Sequence, residues 1–485
     1  MDECRKQRHT VVLRCPYCLP PVRVHVVDPS SYTPPYDHAL CGALAAANIQ
    51  VELFTSRFPY GPVARPDGYV RHEFFYRAAL GAPGGWARMA GKLAQHVPDM
   101  LRYQRAARSA DVVHFQWLPV QHIDGRLLPA RRSREGRRRP LVLTAHDVLP
   151  REPRPGQLVA QRRLYDRFDA IVVHSEHGRA RLIEELGADG ERIHVIPHGV
   201  FTHLAAGISE EQRLASRRLE GEVGTFQKGL PPRARGGQPV LESAHADGER
   251  SALDHLTSDD PAPGNRPGDA PAPGNPRIED LVPGNPPGDA PALGTPRIDA
   301  SAPGTPPSGR PLVLMFGLMR PYKGIDVLLD AWRGADGEAA IEDAELWIAG
   351  MPRMDISALR AAAPANVSFD PHFVTDDELP AYFQRADLVV LPYLQADQSG
   401  VLFTALAFGK PLLLSDVGGF PEMASTGAAK IVRAGDPRAL GRALRELLAD
   451  RAALTEMCVR ARAAANGRYS WKTIAAAHIK LYRSL

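Results

Sequence analysis

Residues 311–332 read PLVLMFGLMRPYKGIDVLLDAW. PLVLMFG is a continuously apolar run of strand length closed by Gly317, and GIDVLLDAW reads as an amphipathic helix. Between them stand two cations, Arg320 and Lys323. Strand, basic turn and helix make one βα unit, and the chain downstream repeats the pattern. ELWIAG, NVSFDP, ADLVVLPY and KPLLLSD are further strand-length runs. DDELPAYFQRA and VLFTALAFG read as helices, and PRALGRALRELLADRAALTEMCVRARAAA as one helical stretch. Upstream, residues 22–28 (VRVHVVD), 51–55, 111–115 (DVVHF), 141–146 (LVLTAH), 170–174 (AIVVH) and 193–197 (IHVIP) alternate with helical segments. The first of these helices follows the turn SSYTPPYD and spans residues 39–47. Strands apolar on both faces, alternating with helices, predict parallel sheets covered on both sides. A chain of 485 residues is too long for one core. The expected fold class is therefore α/β, with two Rossmann-like units.

The chain carries 45 prolines and 42 glycines, and the surplus is concentrated in one place. PAPGNRPGDAPAPGNPRIED, from Pro261, is echoed by LVPGNPPGDAPALGTPRIDA, from Leu281. A solenoid repeat of about this period needs regular apolar positions, and these copies lack them. Ordering each residue would cost about 1–2 kcal/mol of backbone entropy, with little apolar burial to offset it. Residues 205–309 are accordingly read as a disordered insertion at an interdomain hinge, where long loops are tolerated, with a scaffold role as the alternative. Residues 1–20 read as a disordered leader. Its lone CPYC, Cys15 and Cys18, suggests a metal or redox site completed by Cys4 or His9, but a second ligand pair is missing.

The formal net charge of +4 does not by itself imply a nucleic-acid partner. No apolar run is long enough to span a bilayer, and the N-terminus lacks a signal-peptide core, so the expected location is cytoplasmic. The stretch from Arg126 to Arg139 (RLLPARRSREGRRR) has two readings. One is a solvated loop. The other is peripheral contact with anionic headgroups at the inner membrane face, each cation contributing about 1 kcal/mol.

Two segments carry the chemistry. In residues 396–411, ADQSGVLFTALAFGKP, a loop leaving a strand ends in Ser399 and Gly400 and a helix begins at once. Unpaired amides and the dipole at such a helix start form an anion site, and glycine lets an anion approach the backbone; an ordinary strand-to-helix turn would read the same way. In FGLMRPYKG, the planar fork of Arg320 and the compact charge of Lys323 suit a diphosphate, although a solvated basic loop is the simpler reading of that stretch alone.

Taken together, these motifs resemble glycosyltransferase family 4, the large retaining family with the two-domain GT-B fold, in which two Rossmann-like domains face a central cleft. The resemblance rests on FGLMRPYKGIDVLLDAW and QSGVLFTALAFGKPLLLSDVGGFPE in the C-terminal half. In the N-terminal half it rests on PPYDHALCGALA, ADVVHFQWLP, LVLTAHDVLP, HSEHGRARL and IHVIPHGVF. It implies an acceptor domain at 21–204, joined by a C-terminal helix at 470–485, and a nucleotide-sugar domain at 310–469. Arg320 and Lys323 match the pair that neutralises the donor diphosphate. Ser399, Gly400, Val401 and Leu402 match the loop whose amides hold phosphate, with Gly317 ending the strand beside it. His146 resembles the histidine beside the transferred sugar. Phe373 and Val374 fall where the base is contacted, and Glu422, after Gly418 and Gly419, lies beside the cleft. The implied donor is a nucleotide diphosphate sugar, with no metal and no cofactor, and the implied activity is transfer to a polysaccharide, a lipid-linked intermediate or a small metabolite.

Two positions depart from the family pattern. The family commonly carries two glutamates separated by seven residues; here the second falls on Thr404, and the first falls near Ala396 or Asp397. A hydroxyl can still hydrogen-bond, but not as a carboxylate does. Tyr36 and Asp37 also replace the glycine pair of the first βα turn, which assigns that turn to the acceptor. These departures keep a second reading open, that of a degenerate sugar-nucleotide-binding regulator. The absence of GxGxxG after the first strand counts against a dinucleotide-dependent dehydrogenase.

Overall fold

A computed structural model describes residues 22–59, 62–79, 86–131, 136, 138–150, 155–205, 310–334 and 337–485. The leader and the 206–309 part of the expected insertion lie outside the described residues.

The first sheet contains β1 (Arg23–Asp28), β2 (Gln50–Ser56), β3 (Val70–Phe75), β4 (Val112–Phe115), β5 (Leu141–Thr144), β6 (Ala170–Val173) and β7 (Ile193–Val195). All pairings are parallel, in the order β3-β2-β1-β4-β5-β6-β7. The second contains β8 (Leu312–Phe316), β9 (Glu345–Ala349), β10 (Val367–Asp370), β11 (Leu388–Leu391), β12 (Leu412–Ser415) and β13 (Ala429–Val432), also parallel, in the order β10-β9-β8-β11-β12-β13. The central strands are buried on both faces, as their unbroken apolar runs require. Each sheet is therefore a doubly covered Rossmann-like layer. Strands β3 and β13 are absent from the sequence reading. Both lie at sheet edges and are only partly buried, so they lack the apolar run that marks a central strand.

Local chemistry sets several boundaries. Helix α1 (Pro34–Ala46) begins inside the turn SSYTPPYD, with prolines in its first positions, where a missing N–H costs nothing. The long C-terminal helical stretch is two helices, α5 (Pro437–Ala449) and α6 (Arg451–Asn466). Asp450 leaves helical geometry and accepts the Ala453 N–H at 2.9 Å, opening a new helix with a capping bond.

The last helix, α7 (Trp471–Ser484), returns to the first sheet. It packs on α1, and the Tyr482 hydroxyl lies 2.7 Å from His114 Nδ1 in β4. At the crossing, the Trp471 indole donates to the Val200 carbonyl at 2.6 Å and the Val200 N–H donates to the Tyr469 carbonyl at 3.0 Å. One apolar cluster runs through this seam from Val26 and Leu40 to Phe403 and Leu414 in the second sheet and its helices.

The basic loop is partly structural. Arg139 is buried, and its guanidinium donates to the carbonyls of Ala110, Ala130 and Arg108. Arg131 and Arg138 pair with Asp169. Arg139 is therefore removed from the set of cations that a lipid surface could meet, because its donors satisfy loop carbonyls. Arg132, Arg134 and Arg137 lie outside the described residues. No helix among the described residues is long and apolar enough to cross a membrane.

A side chain at Gly199 would overlap the Trp471 ring. Gly199→Ala should therefore destabilise the fold by about 1–3 kcal/mol through overpacking. Thermal denaturation reads this, and an unchanged Tm would contradict the packing of the seam.

Candidate active site

In a parallel sheet, functional groups gather beyond the C-terminal strand ends. In the second sheet, β8 ends at Gly317, which has φ +109° and lies against Val401; a Cβ there would stand 3.2 Å from Val401 Cγ2. After it, Arg320 opens a 3₁₀ turn, Pro321–Lys323, and Gly324 leads into helix α3 (Ile325–Arg333). Gly324 is left-handed (φ +67°), and its Cα faces the Pro392 carbonyl so closely that no Cβ would fit. The Leu394 N–H also donates to the Tyr322 carbonyl at 2.8 Å. These contacts fasten the basic turn to the loop that leaves β11.

Tyr393, in that loop, joins the basic turn to the start of the next helix. Lys323 Nζ lies 3.7 Å from the centre of its ring, and its hydroxyl is 3.2 Å from Ser399 Oγ. Ser399 is the buried N-cap of helix α4 (Gly400–Ala407). The structure thus brings Lys323, Ser399, Val401 and Gly317 together around the start of α4. Arg320 is partly buried, and no side-chain partner for it occurs among the described residues.

In the first sheet, three neighbouring strands each end in a histidine: His146 after β5, His174 after β6 and His198 after β7. His146 Nδ1 lies 3.2 Å from His174 Nε2, and its Nε2 lies 3.0 Å from the Gln116 side chain. Its ring stacks on Trp117, 5.1 Å between centroids and 13° between planes, and Tyr36 meets it edge-on at 4.6 Å. Burial, and then the neighbouring histidines, hold His146 well below the ordinary imidazole range; burial holds His174 at about 4. Both rings are therefore neutral at pH 7. His198 stacks on Phe403 of α4 (4.4 Å, 14°), so the histidine row reaches the second sheet's anion-site helix.

Two carboxylates from the second half close the seam. Asp397 accepts from Arg181 at 2.7 Å and from the Val148 N–H at 3.1 Å. Glu422, in the 3₁₀ segment Phe420–Thr426, accepts the His177 N–H at 3.2 Å, at the start of helix α2 (Glu176–Glu184).

Two family models match in tandem, "Glycosyltransferase Family 4" over residues 36–204 and "Glycosyl transferases group 1" over residues 310–450. The chain belongs to glycosyltransferase family 4.

Among curated relatives of this family 4 chain, the phosphatidyl-myo-inositol mannosyltransferase of Mycobacterium leprae is 33% identical over 181 residues, covering 36% of this chain and 47% of that protein. The GDP-mannose:glycolipid 4-beta-D-mannosyltransferase of Xanthomonas campestris is 35% identical over 105 residues, covering 21% and 29%. These matches span less than half of either relative's length. Sucrose-phosphate synthase from Thermosynechococcus elongatus superposes with a TM-score of 0.58 at 16% identity, covering 96% of this chain and 98% of that one. Anabaena HepE, solved in complex with UDP and glucose, gives 0.58 at 15% identity, covering 96% and 100%. At such identities the likeness speaks for the fold, GT-B.

The remaining expected site residues of the family 4 chain are spread around this centre. Leu402 is fully buried in the core, and its N–H donates to the Ser399 carbonyl at 3.1 Å, so it presents neither side chain nor free amide to a ligand. The Thr404 hydroxyl is buried and donates to the Gly400 carbonyl at 3.0 Å; its hydrogen is turned back on its own helix. Gly400 itself is exposed, with ordinary clearance to Phe201. Phe373 is exposed in the loop after β10, and Val374 packs against the core beside it. Glu422 holds an interdomain bond. Tyr36 is a fully buried packing residue and presents no side chain to an acceptor.

The sequence reading missed His174, His198, Gln116, Tyr393 and Arg181. The histidines did leave a signal, since LVLTAH and AIVVH each close a predicted strand with histidine and His198 directly follows the predicted strand IHVIP.

Two outcomes follow. Gly324→Ala should lose at least about 2 kcal/mol, because a left-handed non-glycine residue is strained and the Pro392 carbonyl blocks Cβ; equilibrium denaturation measures it. Acid should also destabilise the fold. His174 and His478 are held near 4 by burial, while an unfolded imidazole titrates near 6.5. The unfolded chain therefore binds the extra protons, and stability is full above pH 6.5 and falls towards pH 4. The slope is up to about 1.4 kcal/mol per pH unit for each such histidine. His478→Leu should reduce that slope by about one proton, read from Tm against pH; an identical slope would contradict it.

Proposed function

We propose that this family 4 protein transfers a sugar, with retention, from a nucleotide diphosphate sugar to an acceptor hydroxyl in the cleft between its two sheets. The observation that carries the reading is the Tyr393 ring. It holds the Lys323 ammonium on its face and the Ser399 hydroxyl at its edge, so a cationic turn and a row of helix-start amides converge on one small volume. In this reading a diphosphate sets its oxygens on the amides of Gly400 and Val401, since the Leu402 N–H donates to the Ser399 carbonyl at 3.1 Å, and its charge on Arg320 and Lys323.

In the reaction the bond from the anomeric carbon to the diphosphate oxygen breaks, and its electron pair stays on the diphosphate. Lys323, held on Tyr393, and the first amides of α4 stand ready in this reading where that charge develops, with Arg320 from the same turn, the form of stabilisation that lowers a barrier most. In this reading the two side chains supply the positive charge without a metal ion. The acceptor hydroxyl replaces the leaving oxygen, and its proton leaves with the departing diphosphate. Retention rests on the family resemblance.

The acceptor belongs to the first sheet in this reading. Asp37 Oδ1, Thr55 Oγ1 and Ser56 Oγ are buried without hydrogen-bond partners among the described residues and line one pocket with Arg71 and Glu73. Burial raises the carboxyls of both Asp37 and Asp28. The polar side chains of this pocket line the first sheet's edge where the resemblance places the acceptor. The names of the relatives make GDP-mannose and UDP-glucose the first donors to try.

A thermal-shift panel of nucleotide diphosphate sugars tests donor binding, since a ligand at a hundred times its Kd adds about 2.7 kcal/mol. Donor hydrolysis then tests catalysis without a known acceptor. Lys323→Ala should lower turnover at saturating donor at least tenfold, equivalent to about 1.4 kcal/mol of the barrier. Equal turnover would remove Lys323 from this role. Tight binding without any hydrolysis or transfer would favour the degenerate regulator.

A further inference from the structure

Across the C-terminal edge of the first sheet runs a hydrogen-bonded chain that takes one member from the end of each of four adjacent strands, β7, β6, β5 and β4. Its order is Ile196 carbonyl, His174, His146, Gln116. His174 Nδ1 lies 3.0 Å from the Ile196 carbonyl, His174 Nε2 lies 3.2 Å from His146 Nδ1, and His146 Nε2 lies 3.0 Å from the Gln116 amide.

The first link fixes the polarity of all the others. A carbonyl oxygen only accepts, so His174 Nδ1 must carry the hydrogen. In a neutral ring, His174 Nε2 is then a lone pair, and it can bond His146 Nδ1 only if that nitrogen is protonated. His146 Nε2 is left as a lone pair, with no freedom to choose the other tautomer; the alternative would set two lone pairs facing each other. The Gln116 amide must follow. Its nitrogen is buried without a partner when its oxygen faces His146. Turning the amide puts that nitrogen against the lone pair, an exchange of nearly indistinguishable groups.

We propose that His174 is a positioning residue that locks His146 as the Nδ1–H tautomer. His146 then offers the sugar a lone pair at Nε2 and selects a donor that presents a hydroxyl there over one that presents a carboxylate. This rests on the transferase reading for the position of the sugar beside His146. The hydrogen at Nε2 comes either from the Gln116 amide nitrogen or from the sugar hydroxyl that takes its place. Where the hexose presents its hydroxymethyl group to Nε2, the matching uronate presents a carboxylate with no hydrogen to give, and burial keeps the ring from gaining a proton to meet it. The resemblance to the family assigns His146 but says nothing of His174.

Imidazole ¹⁵N–¹H correlation spectra of the full chain at pH 7 test the relay without reference to activity, with His146 assigned by loss of its signals in His146→Gln. The proposal expects a bare Nε2 and a protonated Nδ1 on His146. In His174→Phe the pattern should move to Nε2–H or to a mixture, and His174→Gln, whose carbonyl can accept from His146 Nδ1–H, should restore it. The second measurement is kcat/KM for hydrolysis of a hexose donor and of the matching hexuronate on the same nucleotide, UDP-glucose against UDP-glucuronate or GDP-mannose against GDP-mannuronate. The hexose should be preferred by at least about tenfold, a hydrogen bond's worth. His174→Phe should lose that preference while keeping a cooperative thermal transition, and His174→Gln should recover it. A merely structural role would lower both rates together. A protonated Nε2 in the wild type, or a tautomer unmoved in His174→Phe, overturns the relay even if the enzyme is active. The expected tautomer in a protein that turns over no donor supports the relay and sinks the transferase reading instead.

Discussion

The candidate site depends on one close approach, the Gly324 backbone against the Pro392 carbonyl. Only a residue without Cβ, in the left-handed region, allows the chain to leave the basic turn there and enter a helix. That contact ties the loop after β8 to the loop after β11. Lys323 can then lie over Tyr393, and Tyr393 can reach Ser399 at the head of α4. The cations and the amides come from segments more than seventy residues apart, and this backbone contact sets their spacing.

The two sheets divide the electrostatic work. The second gathers positive charge and unpaired helix-start amides, which suit a diphosphate. The first gathers imidazoles that burial keeps neutral, and burial raises the carboxyls of Asp28 and Asp37 beside them. In the proposed reading, neutral imidazoles facing a cationic turn would meet an uncharged sugar on one side and its anionic leaving group on the other. Placing cations on both edges would favour the diphosphate in either position and would blur that distinction.

Between the edges, the seam is both packed and polar. Trp471, Phe201 and Phe403 supply apolar contact, while Asp397 and Glu422 reach across to Arg181, Val148 and His177. The polar contacts are few and only partly buried. Asp397 lies beside the position where relatives carry a glutamate, yet its oxygens are engaged by Arg181 and Val148. In the structure it acts as a clamp.

The sequence by itself determined the fold class, the central strands and the basic turn, because doubly buried strands need unbroken apolar runs and βα units repeat them. It also carried the family signature, and with it Arg320, Lys323, His146 and the start of α4. It did not reveal the edge strands β3 and β13, whose half-exposed residues lack that signal, or the break at Asp450, where a capping carboxylate interrupts an otherwise helical pattern. Tertiary structure alone decided that Tyr36 packs beneath the histidines, that Arg139 is internal, that Thr404 bonds its own helix, and that two strand-ending histidines, His174 and His146, form a directed chain. The physical reason is the range of the interactions: burial and propensity act between neighbours in sequence, whereas the direction of a hydrogen bond is set by whichever strand the sheet places alongside.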